Sequence, residues 1–247
     1  MSTDPAPRES HPSEPFEVTK QLARELVRET GVDGVGVAVF ATESTRDLVY
    51  ASDGVAEEID ETQFTLGEGP CLDAFRFERP ELHADMAGGE ARARWPLFTA
   101  QVLGLGAASV YAYPLGGGGS PFGVLELYGR SPIALAPSED VKCRSYAHTI
   151  AYAVMAELAP VYALTSGSDV GVFRRGNVNI ASGILAVHHR ISVDEAMVRL
   201  RARAFSRQRR ITSIARDVIA GDRFDTDECQ RRISRHWCPG AVGSQYR

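Results

Sequence analysis

The sequence predicts two folded parts: an α+β domain, an antiparallel sheet flanked by helices, and after it an all-α three-helix bundle. Three observations carry this. Short apolar runs of strand length end at Tyr128, with helical periodicities on either side of them. Three further amphipathic patterns, each too short to bury its stripe alone, crowd into residues 174–221. Between Arg174 and Asp217 stand ten arginines against three acids, a local excess of +7 in a chain whose net charge is −5. A length of 247 residues with 44% hydrophobic content suits one core of ordinary size plus a small bundle.

Residues 1–13 are rich in Pro, Ser and charge and contain no apolar run. They are expected to be disordered, with no signal peptide or membrane span, which points to a cytoplasmic protein. From Glu14 to Thr30 an amphipathic helix runs through Phe16, Leu22, Ala23, Leu26 and Val27 and ends at Gly31. Val35 to Phe40 reads as a buried strand with Asp47 to Ala51 as its partner, and Ala108 to Pro114 and Phe122 to Tyr128 as a second pair. The run Gly116-Gly117-Gly118-Gly119 suits a hairpin loop; it lacks the Lys-Ser/Thr sequel of a phosphate loop. Ser138 is the expected N-cap of a helix to Met155, with Val141, Tyr146 and Ile150 among its buried positions. Helices should cover one face of this sheet. The first domain is assigned to residues 14–158. A joint follows at 159–173, where Pro160 and Ser166-Gly167-Ser168-Asp169 break helix.

In the bundle, 174–221, Val178, Ala181, Ile184 and Leu185 mark the first helix. Ser192 and Glu195 form a capping box before Val193, Ala196, Met197 and Leu200. The third helix carries Ile211, Ile214, Ala215, Val218 and Ile219 and stops at Gly221. A basic helical unit on an otherwise acidic chain points to a polyanion, since neutralised phosphates release counterions; a solvated Arg-rich surface is the plain alternative.

The words Ala181-Ser182-Gly183-Ile184-Leu185, Ser192-Val193-Asp194-Glu195-Ala196, Leu200-Arg201, Ala204, Gln208-Arg209-Arg210-Ile211 and Ala215 resemble the ANTAR module, the RNA-binding three-helix domain of bacterial transcription antiterminators. Ser182 stands where that family commonly has Lys, Gln208 where it has Asn and Ala186 where it has Met. Upstream, Leu66-Gly67-Glu68-Gly69-Pro70-Cys71-Leu72-Asp73-Ala74, Arg94-Trp95-Pro96, Tyr113-Pro114-Leu115 and Gly123-Val124-Leu125-Glu126-Leu127-Tyr128 resemble the GAF sensor domain found fused to ANTAR modules in actinobacterial regulators. The paired resemblance implies a homodimeric regulator whose ANTAR domain binds pairs of RNA hairpins in nascent transcripts, under control of a small ligand or partner protein at the GAF domain. Neither enzyme activity nor a cofactor is implied.

Arg201, Arg207, Arg209 and Arg210 are the candidate RNA contacts, with Arg175 at the entry to the bundle. Ala181 and Gly183 would permit either close helix packing or close RNA approach. A DNA-binding regulator is the rival reading, since Arg-rich three-helix units also read duplexes. A redox or ligand sensor acting through Cys71 is the other. The four cysteines, Cys71, Cys143, Cys229 and Cys238, have neither CxxC nor disulfide-framework spacing and are expected reduced. His83 and His148 read as ordinary histidines more readily than as haem ligands. Cys229, His236 and Cys238 offer three ligands at a spacing unlike zinc sites, so the tail, 222–247, is read as partly disordered, with Trp237 placed to dock on the bundle or, less readily, to stack on a base.

Overall fold

The sheet is assembled from strands that are not consecutive in the chain. The computed structural model describes residues 15–42, 45–116, 119–164, 175–221 and 224. Its first element is helix α1 (Glu17–Thr30), stopped by Gly31 in the left-handed conformation, φ 67°. Strands β1 (Gly34–Phe40) and β2 (Arg46–Ala51) form a hairpin with a register shift between Val37 and Ala38. A long excursion holds α2 (Gly54–Leu66), α3 (Pro70–Arg76), β3 (Glu81–His83), α4 (Gly89–Arg94) and α5 (Pro96–Gly104). Strands β4 (Ser109–Leu115) and β5 (Gly123–Gly129) and helix α6 (Pro137–Leu164) follow. The antiparallel sheet has the order β2-β1-β5-β4-β3.

Alternation along the strands sorts the side chains. Val35, Val37 and Val39 of β1, with Tyr111, Leu115, Leu125 and Leu127, pack against Ala23 and Leu26 of α1 and Cys143, Ile150 and Val154 of α6. Ala38, Phe40, Ala112 and Val124 leave on the opposite side and meet Cys71, Leu72 and Ala74 of α3. Helices therefore cover both faces rather than the expected one. The reason is visible in β1, which is apolar and buried at every position and so has no face suited to water.

Helix α6 corrects two further expectations. It runs on past Met155 through Pro160 to Leu164, so the first six positions of the expected joint are helical. A proline removes one N–H from the helical ladder, and the remaining turns outlast that local loss. Val141 is 65% exposed; the buried stripe is Cys143, Ala147, Ile150, Ala151, Val154 and Leu158. The Glu157 carboxylate accepts the backbone N–H groups of Val18 (2.8 Å) and Thr19 (3.2 Å) and the Thr19 hydroxyl (2.7 Å), supplying the acceptor that α1 lacks at its own N-terminus. Ser166 to Asp169, the 1–13 segment and Cys229, His236, Trp237 and Cys238 lie outside the described residues.

Contacts divide the chain into a unit of residues 1–63 and 68–174 and a second of 64–67 and 175–247. In the second, α7 (Gly176–His189), α8 (Val193–Arg207) and α9 (Ile211–Ile219) share a core of Val178, Ala181, Leu185, Ala196, Met197, Leu200, Ala204, Ile211, Ile214, Ala215 and Val218. The Ser192 hydroxyl caps α8 by accepting Glu195 N–H at 3.0 Å, but the Glu195 carboxylate turns to Arg199, also at 3.0 Å. Val193, expected on the buried stripe, is 54% exposed.

Candidate functional site

Two places gather polar chemistry: the interior of the sheet domain beneath α2 and α3, and the exposed corner between α8 and α9.

In the interior, Gln63 of α2 is the centre of a buried chain of contacts. Its side-chain amide donates to Glu126 Oε1 of β5 (2.6 Å), and its carbonyl accepts Cys71 N–H (2.8 Å). Arg46 of β2, wholly buried, is paired with Asp60 Oδ1 at 3.0 Å and donates to the Asp60 carbonyl (2.7 Å) and to Cys71 Sγ (3.4 Å). Burial first, and the neighbouring Asp60 second, push the Glu126 carboxyl up to about 8. It is therefore protonated at neutral pH, which lets the cluster hold Arg46 and Asp60 without a further net charge. Gly69 makes the arrangement possible. Its φ is 142°, and a Cβ there would meet Gln63 Oε1 at 2.4 Å.

The residues around this turn lock to those of the later Arg94-Trp95-Pro96 word. Glu68 Oε1 accepts the N–H groups of Leu97 (2.7 Å) and Phe98 (2.8 Å), capping α5 from a distance. Asp73 Oδ2 accepts from Arg94 (2.8 Å) and from the Trp95 indole (3.1 Å). Arg94 reaches on to Glu81 Oε2 at 2.6 Å, and its guanidinium lies 4.3 Å from the Trp95 ring. Burial works to raise the Glu81 pKa, but hydrogen bonds from Arg94 and His83 together with their charge outweigh it and lower the value. The two motif words are thus each other's partners. This pairing across the excursion is a tertiary fact, and neither word shows it alone.

The family model of the GAF domain matches residues 13–155. The chain belongs to the GAF family. The GAF fold also places it near solved structures. A domain of a two-component sensor histidine kinase protein from Sinorhizobium meliloti aligns at 17% identity and TM-score 0.50, covering 64% of this chain and all (100%) of that one. The GAF domain region of a membrane protein from Geobacter sulfurreducens aligns at 20% identity and TM-score 0.46, over 57% of this chain and 93% of that one. A type II free methionine-R-sulfoxide reductase from Thermoplasma acidophilum aligns at 17% identity and TM-score 0.43, over 57% and 95%. These likenesses concern the fold alone. No curated protein matches the chain in sequence.

Within this GAF domain the Cys71 thiol is a poor nucleophile. It is 1% exposed, and burial, then the Glu126 carboxyl, raise its pKa well above the ordinary value. His83 is hydrogen-bonded to Glu81 at 3.1 Å and packs edge-on to Trp95, while exposed His148 leans on Tyr152. Among the described residues no three His, Cys, Asp or Glu side chains are grouped as metal ligands, and no helix is long and apolar enough to cross a membrane.

In the second unit the candidate contacts separate by exposure. Ala181 is fully buried and Arg175 is 4% exposed, so both belong to the packing of the unit rather than to an outward contact surface. Gly183 differs: a Cβ there would meet nothing within 4 Å, so no neighbouring helix demands a glycine. Ser182 is buried and its hydroxyl donates back to Val178 O and Asn179 O, both at 3.0 Å. Arg201 is half-buried. Arg207, Arg209 and Arg210 are exposed, within an unbroken exposed run from Phe205 to Arg210. Gln208 turns that corner at φ 52°. Arg209 is aimed by α9, donating to Asp217 (2.6 Å) and Ser213 (2.5 Å), and the same contact lowers the Asp217 pKa. Phe205 is 41% exposed, a placement that residue type alone does not give, since an aromatic can stand inside or outside a helix bundle.

Proposed function

We propose that this GAF protein is a signal-responsive RNA-binding regulator, acting by transcription antitermination from the cytoplasm. The reading rests on the likeness of residues 174–221 to the ANTAR module, and one observation supports it most. The α8–α9 corner carries Arg207, Arg209 and Arg210 in one exposed run with Phe205, on a three-helix unit whose described acids are Asp217, paired with Arg209, and Asp194 and Glu195, which open α8 at its opposite end. Guanidinium forks suit phosphate oxygens, and a neighbouring ring suits a base released from its stack.

A hairpin pair calls for two such corners, and α6 has the means to bring two chains together. Val141, Ser145, His148, Tyr152, Met155 and Ala159 are all exposed and recur at alternating intervals of four and three. That is the spacing of a coiled-coil seam, on the side away from the sheet. Pairing of two α6 helices gives a homodimer, and a signal at the GAF domain changes how that dimer offers its two basic corners.

The test is a gel shift with paired RNA hairpins and, as competitor, duplex DNA of matched length. Retention of the hairpin complex in excess DNA is the expected result. Preference for the duplex would replace the reading with a DNA-binding regulator, and indifference to both would remove it.

A further inference from the structure

A second binding surface lies on the GAF domain at the open edge of its sheet. Among the described residues, β2 is the terminal strand, with no strand on its outer side. Two adjoining pockets, of about 540 Å³ and 290 Å³, form one groove between α1 and this strand and share Arg24 and Tyr50. The groove is lined by four consecutive residues of β2, Leu48 to Ala51. Val49 stands at the register shift of β2, and both it and Tyr50 pack on the α1 side, so the groove meets four residues in a row along the outer border of the strand. The backbone agrees: Ser52 N–H bonds inward to Val35 O at 2.9 Å, and alternation then turns the N–H and C=O of Ala51 outward.

The opposite wall is basic. Lys20, Arg24 and Arg28 recur every fourth position along α1, on the flank beside the buried stripe of Thr19, Ala23 and Leu26. Arg24 leans over the Tyr50 ring at 5.8 Å, and Val27 and Tyr50 give the groove an apolar floor. The larger pocket has Arg24 and Arg28 and no acid; the smaller one sets Lys20 and Arg24 against Asp53 and Glu57. Asp53 is already occupied there, accepting from Tyr128, Ser52, Val55 and Ala56.

We infer that this groove docks an extended acidic segment of a partner protein, which adds to the sheet by pairing with β2 and sets its carboxylates against Arg24 and Arg28. Main-chain pairing supplies affinity and the basic wall supplies the choice of partner. This surface is independent of the RNA-binding proposal and survives if that proposal fails.

The test uses the full chain and a fluorescein-labelled peptide of alternating valine and glutamate. Saturable binding is expected, weakened by about tenfold or more in Arg24→Glu/Arg28→Glu, whose exposed sites leave the fold intact by circular dichroism. An N-methylated peptide of the same charge should lose binding by a similar factor, because it cannot complete the strand. No binding of the parent peptide overturns the inference, as does equal binding by the reversal variant. Equal binding of the N-methylated peptide would reduce the surface to charge attraction alone, and loss of self-association in the variant would make it an interface between copies of this chain.

Discussion

Glu126 shows how a single buried residue contributes to the pH response of the domain. Its carboxyl titrates at about 8 in the fold because of burial, against an ordinary value of 4.5 in the open chain. Between those limits the unfolded chain has released a proton that the folded one keeps, so stability falls as pH rises through that window and levels off above it. Glu126→Gln keeps a partner for Gln63 and removes the titration. Its melting temperature should match the parent near pH 5 and exceed it near pH 9, by an amount on the order of a few kcal/mol in stability. Parallel melting curves for the two proteins across that range would refute the buried proton. Gly69 makes a steric claim at the same scale: Gly69→Ala places a Cβ 2.4 Å from Gln63 Oε1 at a φ of 142°. A loss of roughly 2–3 kcal/mol is expected in urea unfolding, through displacement of Gln63 from both Glu126 and Cys71.

At the scale of elements, α8 is fixed at one end and charged at the other. Ser192→Ala removes the acceptor of Glu195 N–H and should cost about 1 kcal/mol, read by thermal unfolding of the bundle. A smaller loss would mean that water replaces the cap. The far end carries the functional prediction. Arg207→Ala/Arg210→Ala should weaken hairpin binding and reduce the slope of log affinity against log salt by about 1.5, the release expected from two lost phosphate contacts. Unchanged slope with weaker binding would assign these side chains to bases or to the fold instead. Helix α6 has two unlike faces. Cys143, Ile150 and Val154 hold the sheet, whereas Tyr152 and Met155, 55% and 51% exposed, hold nothing within the chain's core.

At the scale of the whole molecule, binding of a hairpin pair is expected to depend on two surfaces at once. Tyr152→Glu/Met155→Glu places like charges along the α6 seam and should yield monomers by light scattering, with the GAF fold unchanged. A monomer should bind a single hairpin as before and lose roughly a hundredfold or more on the hairpin pair, since linkage of two sites rather than new contact gives the avidity. Equal loss on both RNAs would place the seam in RNA contact or in the bundle's stability. Wild-type behaviour of Cys71→Ser in RNA binding and in signal response would agree with a thiol that burial has made inert.

Much of this was legible in the residues themselves. Local chemistry dictates the Gly31 stop, the Ser192 cap and the periodicities of α1 and α7 to α9, because each depends on neighbours a few positions away. Local chemistry also suggested that Pro160 ends α6 and that Val141 and Val193 face inward, and in each case the folded chain decided otherwise. The third dimension alone reveals that Glu68 caps α5, that Asp73 holds Arg94 and Trp95, and that Gln63 joins Glu126 to Cys71. Such pairings span up to 63 positions, and their cost and reward depend on burial. The same holds for Ala181 and Arg175 against Arg207 and Arg210: composition supplies the arginines, but only packing settles which of them meet water.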